Sequence, residues 1–198
     1  MKEQRLMELV VQSLEHEMGG VQVYETALTC AVNNDLSEEW TEYLQQTRKH
    51  VEVLRGLCEK LGFDPELPTP GREIVRTVGE ALVAAMKKAL SAGDPAAAEI
   101  VACECVVLAE TKDHADWELL SQCADKAPGE QTRAALKTAC DEVEDEEDEH
   151  LYHSKGWCRE LWLQALGMPA ILPPPEEQYD VKTAVGAAKA QHASARSR

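Results

Sequence analysis

The sequence predicts an all-α protein, and three observations carry that prediction. Five stretches repeat apolar residues at the helical period, none sustains the alternation of a half-buried strand, and proline and glycine clusters fall between the stretches. The first stretch covers roughly residues 3 to 33 and runs out at Asn33-Asn34. Asp35-Leu36-Ser37-Glu38 then reads as a capping signal for a second helix, which continues to about Leu61 and stops at Gly62. Only a few residues join these two, so they are predicted to be antiparallel neighbours. From Phe63 to Gly71 the prolines Pro65, Pro68 and Pro70 remove backbone donors and restrict their predecessors, which makes this segment a linker. A third, shorter helix near residues 72 to 91 sets Val75, Val78, Leu82, Met86 and Leu90 on one stripe. Gly93-Asp94-Pro95 closes it and opens the fourth helix with an N-cap aspartate and an N1 proline. The fourth helix runs to about Asp125, Pro128-Gly129 breaks it, and the fifth extends from about Glu130 to Leu166. Four long helices and one short one predict a four-helix bundle over residues 1–166, built as two hairpins with the short helix in the crossover connection. Residues 167–198 read as an extended tail rich in proline and alanine, with little apolar surface to bury.

Composition narrows the function classes. The 198 residues fit one domain with a tail, and the net charge of −16 repels phosphate backbones, so nucleic acid is not an expected partner. No apolar run is long enough to span a membrane, and the charged, amphipathic amino terminus does not resemble a signal peptide, which leads to the expectation of a cytoplasmic protein. Seven cysteines, an odd number with no CxxC pair among them, read as reduced and mostly buried thiols.

The seams of the long helices carry the functional signal. Each buries positions three and four apart, and each is interrupted by an ionisable group. The first seam reads Val10, Leu14, Glu17, Val21, Tyr24, Leu28, and the second reads Trp40, Tyr43, Thr47, His50, Leu54, Leu57, Leu61. The fourth helix reads Ala97, Ile100, Glu104, Val107, Thr111, His114, and the fifth reads Cys140, Val143, Glu147, His150, Ser154, Trp157, Leu161. A buried carboxylate takes up a proton, finds a cationic partner or binds a metal. Glutamates converging from several helices repel one another unless a cation lies between them, and the expected solution is a pair of metal ions. Glu147-Asp148-Glu149-His150 is an E-x-x-H whose end residues share one helical face, and Thr47 and His50 repeat that spacing on the second helix. Glu17 and Tyr24 lie seven apart, as do Glu104 and Thr111, so the two halves look like copies of one pattern.

On Glu17, Tyr24, His50, Glu104, Glu147 and His150 the chain resembles the ferritin-like superfamily, the di-iron and di-manganese carboxylate bundles that include ferritins and rubrerythrins. The resemblance spans about residues 5 to 165 and implies a ferritin-like four-helix bundle holding two iron ions, with manganese as the alternative. It implies Glu17, His50, Glu104, Glu147 and His150 as ligands, with Tyr24, Thr47, Thr111 and His114 around them and no catalytic residue distinct from the ligands. The chain departs from the family pattern at Thr47, where a bridging glutamate is expected. The implied activity is oxidation of Fe(II) or reduction of oxygen or hydrogen peroxide, and the implied assembly is a homodimer. A second reading is a degenerate bundle serving as a metal-binding or protein-interaction module, with Thr47 marking the loss. A third is a purely structural acidic bundle.

Overall fold

The computed structural model describes residues 2–171 and 175, which contain five α-helices and no strand. These are α1 (Glu3–Cys30), α2 (Asn34–Leu61), α3 (Pro70–Ser91), α4 (Pro95–Lys126) and α5 (Glu130–Ala165). The all-α class is as predicted, and most of the tail, from residue 176 on, lies outside the described residues.

Side-chain caps set several of the boundaries. α1 ends at Cys30 rather than near residue 33, because Asn33 serves as the N-cap of α2 and accepts from the backbone N–H groups of Asp35 and Leu36. Glu99 of α4 accepts from the N–H groups of Val32 and Asn33 at 2.7 and 2.6 Å, tying this turn to α4. At the other end of α2, Gly62 adopts the left-handed conformation (φ 70°) and returns its N–H to the carbonyls of Cys58 and Glu59, where a Cβ would be strained. Thr69 caps Arg72, so α3 begins at Pro70, two residues before its predicted start; Asp94 caps α4 with Pro95 at N1.

α1 packs against α2 and α4, and α5 packs against α2 and α4, so these four helices close a ring. α3 lies across α1 and α4 outside that ring. A single packed face explains why its predicted stripe is only partly buried: Val75 and Met86 are buried, whereas Val78 and Leu90 are 53% and 41% exposed. Its start is clamped electrostatically, with Arg72 and Arg76 each donating from Nε to Glu15 of α1 at 2.6 Å. Burial alone would raise the Glu15 carboxyl, but the guanidiniums of Arg76 and Arg72 hold it below its ordinary range.

Inside the ring, two apolar clusters lie on either side of a polar layer. One contains Val10, Leu14, Leu54, Leu57, Leu120 and Leu136; the other contains Tyr24, Leu36, Trp40, Met86, Val106 and Trp157. Between them along each helix come Glu17, Thr47, His50, Glu110, Asp113, Glu147 and His150, all buried. Burying so many ionisable groups in one layer costs several kcal/mol unless they are paired or neutralised. Among the described residues, no helix is long and apolar enough to cross a membrane.

Candidate metal centre

Each helix of the ring contributes to the polar layer at the point where its apolar seam is interrupted. Glu17 comes from α1, His50 from α2, Glu110 and Asp113 from α4, and Glu147 and His150 from α5; none is more than 5% exposed. His50 Nδ1 lies 2.8 Å from Glu147 Oε1 and 3.4 Å from Glu17 Oε1. His150 Nδ1 lies 3.6 Å from Glu110 Oε2 and 3.9 Å from Glu147 Oε1. Two groups, His50 with Glu147 and His150, and Glu17 with Asp113 and Glu147, each have candidate ligand atoms within 4.8 Å of one another. Glu147 belongs to both.

The surrounding hydrogen bonds aim these atoms inward. His50 Nε2 meets Glu146 Oε2 at 2.7 Å and His150 Nε2 meets Gln46 Oε1 at 2.8 Å. An oxygen acceptor at each Nε2 holds a proton there and turns each Nδ1 toward the centre, the nitrogen through which a deprotonated ring would ligate a metal. Tyr24 donates its hydroxyl to Glu110 Oε1 at 2.8 Å, and Trp117 donates Nε1–H to Glu17 Oε1 at 2.9 Å. One oxygen of each glutamate is thereby satisfied. The remaining atoms are not: Glu17 Oε2, His50 Nδ1, Glu110 Oε2, Asp113 Oδ1, both oxygens of Glu147 and His150 Nδ1 are buried without a hydrogen-bond partner. Although Glu147 Oε1 approaches His50 Nδ1 closely, the approach is off the direction a hydrogen bond needs. Buried polar groups are rarely left this way, and here the orphans face one another.

The groups also shift one another's proton affinity. Burial would lower the His50 imidazole, but the adjacent Glu147 and Glu17 outweigh it and push it up to about 11. Burial raises Glu147 to about 7, with His50 opposing and Glu17 reinforcing the shift. Burial also raises Asp113 well above the usual carboxylate range, aided by Glu147 and Glu17. Two imidazoles and four carboxylates form a donor set of the kind that holds divalent transition metals.

The structure brings Glu17, His50, Glu147 and His150 together, and places Tyr24 beside them. It does not bring Glu104 there. That side chain is exposed and accepts from Trp162 Nε1 at 3.0 Å, on the outside of α4. Thr111 is exposed too and donates to the Val107 carbonyl of its own helix. The buried face of α4 instead runs through Ala98, Ala102, Val106, Ala109, Asp113, Trp117 and Leu120. α4 contacts α1, α3 and α5, so apolar residues occur around most of its circumference, and its hydrophobic period gives a weak register. Alanines facing the closely packed partners, with Ile100 and Val107 only half-buried, rotate the buried face away from the predicted one. Glu110 takes the place expected of Glu104, and two sequence signals mark it: Glu110-x-x-Asp113 shares one face, and Trp117 follows Glu110 by seven residues as Tyr24 follows Glu17.

Thr47 is buried beside the centre, but its hydroxyl donates to the Tyr43 carbonyl at 2.8 Å. Gly20 permits this close approach of α1 and α2, since a Cβ there would lie 3.2 Å from Thr47 Cγ2. His114 lies outside the centre, half-buried, with Nε2 2.8 Å from Asp148 Oδ1. Beyond His150 a second polar network extends toward the end of the ring. The Tyr43 ring lies 4.3 Å from the His150 ring, its hydroxyl donates to Glu39 and meets His153 Nδ1, and Glu39 accepts from Trp157 Nε1. The sequence reading had no role for Glu39 or His153, although His153 follows His150 by three residues on the same face. All seven cysteines are free thiols, five of them buried.

No protein-family model, curated protein or solved structure matches this chain.

Proposed function

We propose that the chain is a ferritin-like four-helix bundle, with α3 in the crossover connection, that binds two divalent ions of iron or manganese and uses them to oxidise Fe(II) or to reduce oxygen or hydrogen peroxide. The observation that carries this reading is the set of buried, unpartnered donor atoms of Glu17, His50, Glu110, Asp113, Glu147 and His150, with both imidazoles pinned at Nε2. Divalent ions would satisfy the orphaned atoms and offset the repulsion among four carboxylates. His50 and His150 would supply nitrogen, Glu147 would contact both ions, and Glu17, Glu110 and Asp113 would complete the oxygen donors. When bound, such a pair supplies redox equivalents and open coordination positions for the oxidant. Tyr24 and Trp117 hold the glutamates in place, and the flanking apolar clusters keep bulk water out. A cytoplasmic setting, where the cysteines stay reduced, and a homodimer belong to the same proposal, the exposed Ile74 and Val78 of α3 offering an apolar face.

Anaerobic titration with Fe(II), followed by stopped-flow mixing with oxygen and separately with peroxide, tests it. The expected result is binding of two ions per chain and a fast optical transient with at least one oxidant. Less than one ion bound per chain removes the reading. One observation favours a second one: the Thr47 hydroxyl is turned back onto its own helix and adds no donor to the His50 side. Stoichiometric binding without turnover on either oxidant would select that reading, a metal-binding module without redox activity.

A further inference from the structure

A pocket of about 390 Å³ opens between α4 and α5, and its lining connects solvent to the centre. His114 and Glu118 line it from α4, one turn apart; Glu144 and Asp148 line it from α5, also one turn apart. His114 and Asp148 meet across it at 2.8 Å and are 17% and 45% exposed. Deeper in the lining are Trp117, which donates to Glu17, and Glu147, whose carboxylate is buried with neither oxygen hydrogen-bonded. One wall of the pocket is therefore a residue of the candidate centre, with acceptor capacity to spare.

We propose that this pocket is the port through which hydrated divalent cations enter the centre, with His114, Glu144 and Asp148 exchanging for water around the ion before Glu147 receives it. The inference rests on the metal-centre reading and adds the route. A bare ion does not cross a packed apolar layer, because its lost hydration is worth tens of kcal/mol. A route must replace that water stepwise, and carboxylates one turn apart on facing helices do so. The volume is adequate: at roughly 30 Å³ per water, six waters around an ion occupy about 180 Å³. The opposite groove, between α2 and α5, is unsuited. It is lined by Lys49 and Lys60 as well as Glu52 and Glu142, and none of the centre's residues lines it. There Lys49 is bonded to Glu146, which itself pins His50, so a cation arriving on that side meets a positive charge over a closed hydrogen-bond chain. Cavities lined by one sign of charge raise local counter-ion concentration and on-rates, and this effect weakens with salt.

The test is the rate of loading. Fe(II) is mixed anaerobically with the full chain in a stopped-flow instrument, the approach to the centre is followed by quenching of tryptophan fluorescence, and bound iron is counted after desalting. The variants are Glu144→Gln with Asp148→Asn, which removes charge, and Ser121→Leu, which fills the pocket from an exposed position on its rim without adding a fluorophore. Glu52→Gln in the opposite groove is the matched control. The expected result is loading slowed about tenfold or more in both pocket variants, with the final iron count unchanged, the control unaffected and the wild-type rate falling as salt rises. Wild-type rates in the pocket variants with normal iron counts overturn the port alone. A reduced final count at unchanged rate makes these residues ligands rather than a route and likewise overturns it. A wild-type protein that binds no iron overturns the port and the metal-centre reading together.

Discussion

The hairpins α1–α2 and α4–α5 offer the same framework and fill it differently. Glu17 and His50 of the first hairpin correspond to Glu110 and His150 of the second. Seven residues after each glutamate stands an aromatic donor, and it serves the other hairpin: Tyr24 donates to Glu110, and Trp117 donates to Glu17. The residue before each x-x-His pair likewise pins the opposite imidazole, Gln46 holding His150 and Glu146 holding His50. Against this exchange, two positions differ. Where α4–α5 has Asp113 and Glu147, α1–α2 has Gly20 and Thr47, packed so closely that a Cβ on the glycine would crowd the threonine methyl. The first hairpin thus contributes one carboxylate to the centre and the second contributes three. The proposed cation binding needs no uniform distribution, because ions would respond to the summed field, in which Asp113 across the ring offsets the acid missing at Thr47.

The largest effect that this asymmetry predicts is at Glu147, the residue shared by both donor groups. Glu147→Gln keeps the shape and removes the charge. Affinity for Mn(II) is expected to fall by more than about 100-fold, beyond the 10–100-fold typical of residues that merely support a ligand. Equilibrium dialysis measures this. The metal-free melting temperature is expected to stay level or rise, because burial and Glu17 already disfavour the Glu147 charge, raising its pKa to about 7 despite the facing His50. Matched losses on mutating Glu17, with Glu147→Gln nearly silent, would break the comparison.

Proton linkage follows next in size. In the metal-free protein His50 is held protonated, with its pKa at about 11, and Glu147 is raised to about 7. Metal ions take up deprotonated ligands, so the proposed binding at neutral pH is expected to expel these protons and to tighten as pH rises. With one to two protons released, the apparent affinity is expected to change roughly 10- to 100-fold per pH unit around neutrality. Calorimetry in buffers of different ionisation enthalpy counts the protons. Stability of the metal-free protein responds in the opposite sense at Glu147. Its folded pKa of about 7 lies above the ordinary 4.5, so the contribution is fully present below about 4.5 and is lost as pH rises through about 7. Thermal melts of the metal-free protein between these values give the sign.

A smaller effect sharpens the comparison from the other hairpin. Thr47→Glu restores on α2 the carboxylate present at Glu147 on α5. It is expected to tighten binding of an ion on the His50 side about tenfold. The same change destabilises the metal-free protein, because a further buried carboxylate enters beside Glu17 and Glu147. The Thr47 methyl already packs close to Gly20, where an added Cβ would lie 3.2 Å away; if α1 must shift to admit the longer side chain, the melting temperature falls with no gain in affinity, and isotherms recorded together with melts separate these outcomes.

The smallest expected effect bears on how much of the centre was legible in the sequence. On α1, α2 and α5 one apolar face alternates with a polar one, and the interruptions at Glu17, Thr47, His50, Glu147 and His150 stood out against it; all five are buried. α4 is packed on three sides, so apolar residues ring it and alanines mark the tight contacts, leaving hydrophobicity unable to choose between Glu104 and Glu110. The choice was nevertheless encoded in spacing, since only Glu110 has an acid three residues on and an indole seven residues on. Glu110→Gln is therefore expected to weaken metal binding about tenfold, as it removes the charge that faces His150 while leaving an oxygen for Tyr24. Glu104→Gln loses only an exposed contact with Trp162, so binding is expected to be unchanged and stability to move by less than about 0.5 kcal/mol. Dialysis and melts on the pair decide the register of α4. Equal effects from the two would mean that α4 turns a different face inward in solution, and with it Asp113 and the fourfold exchange of donors across the ring would lose their basis.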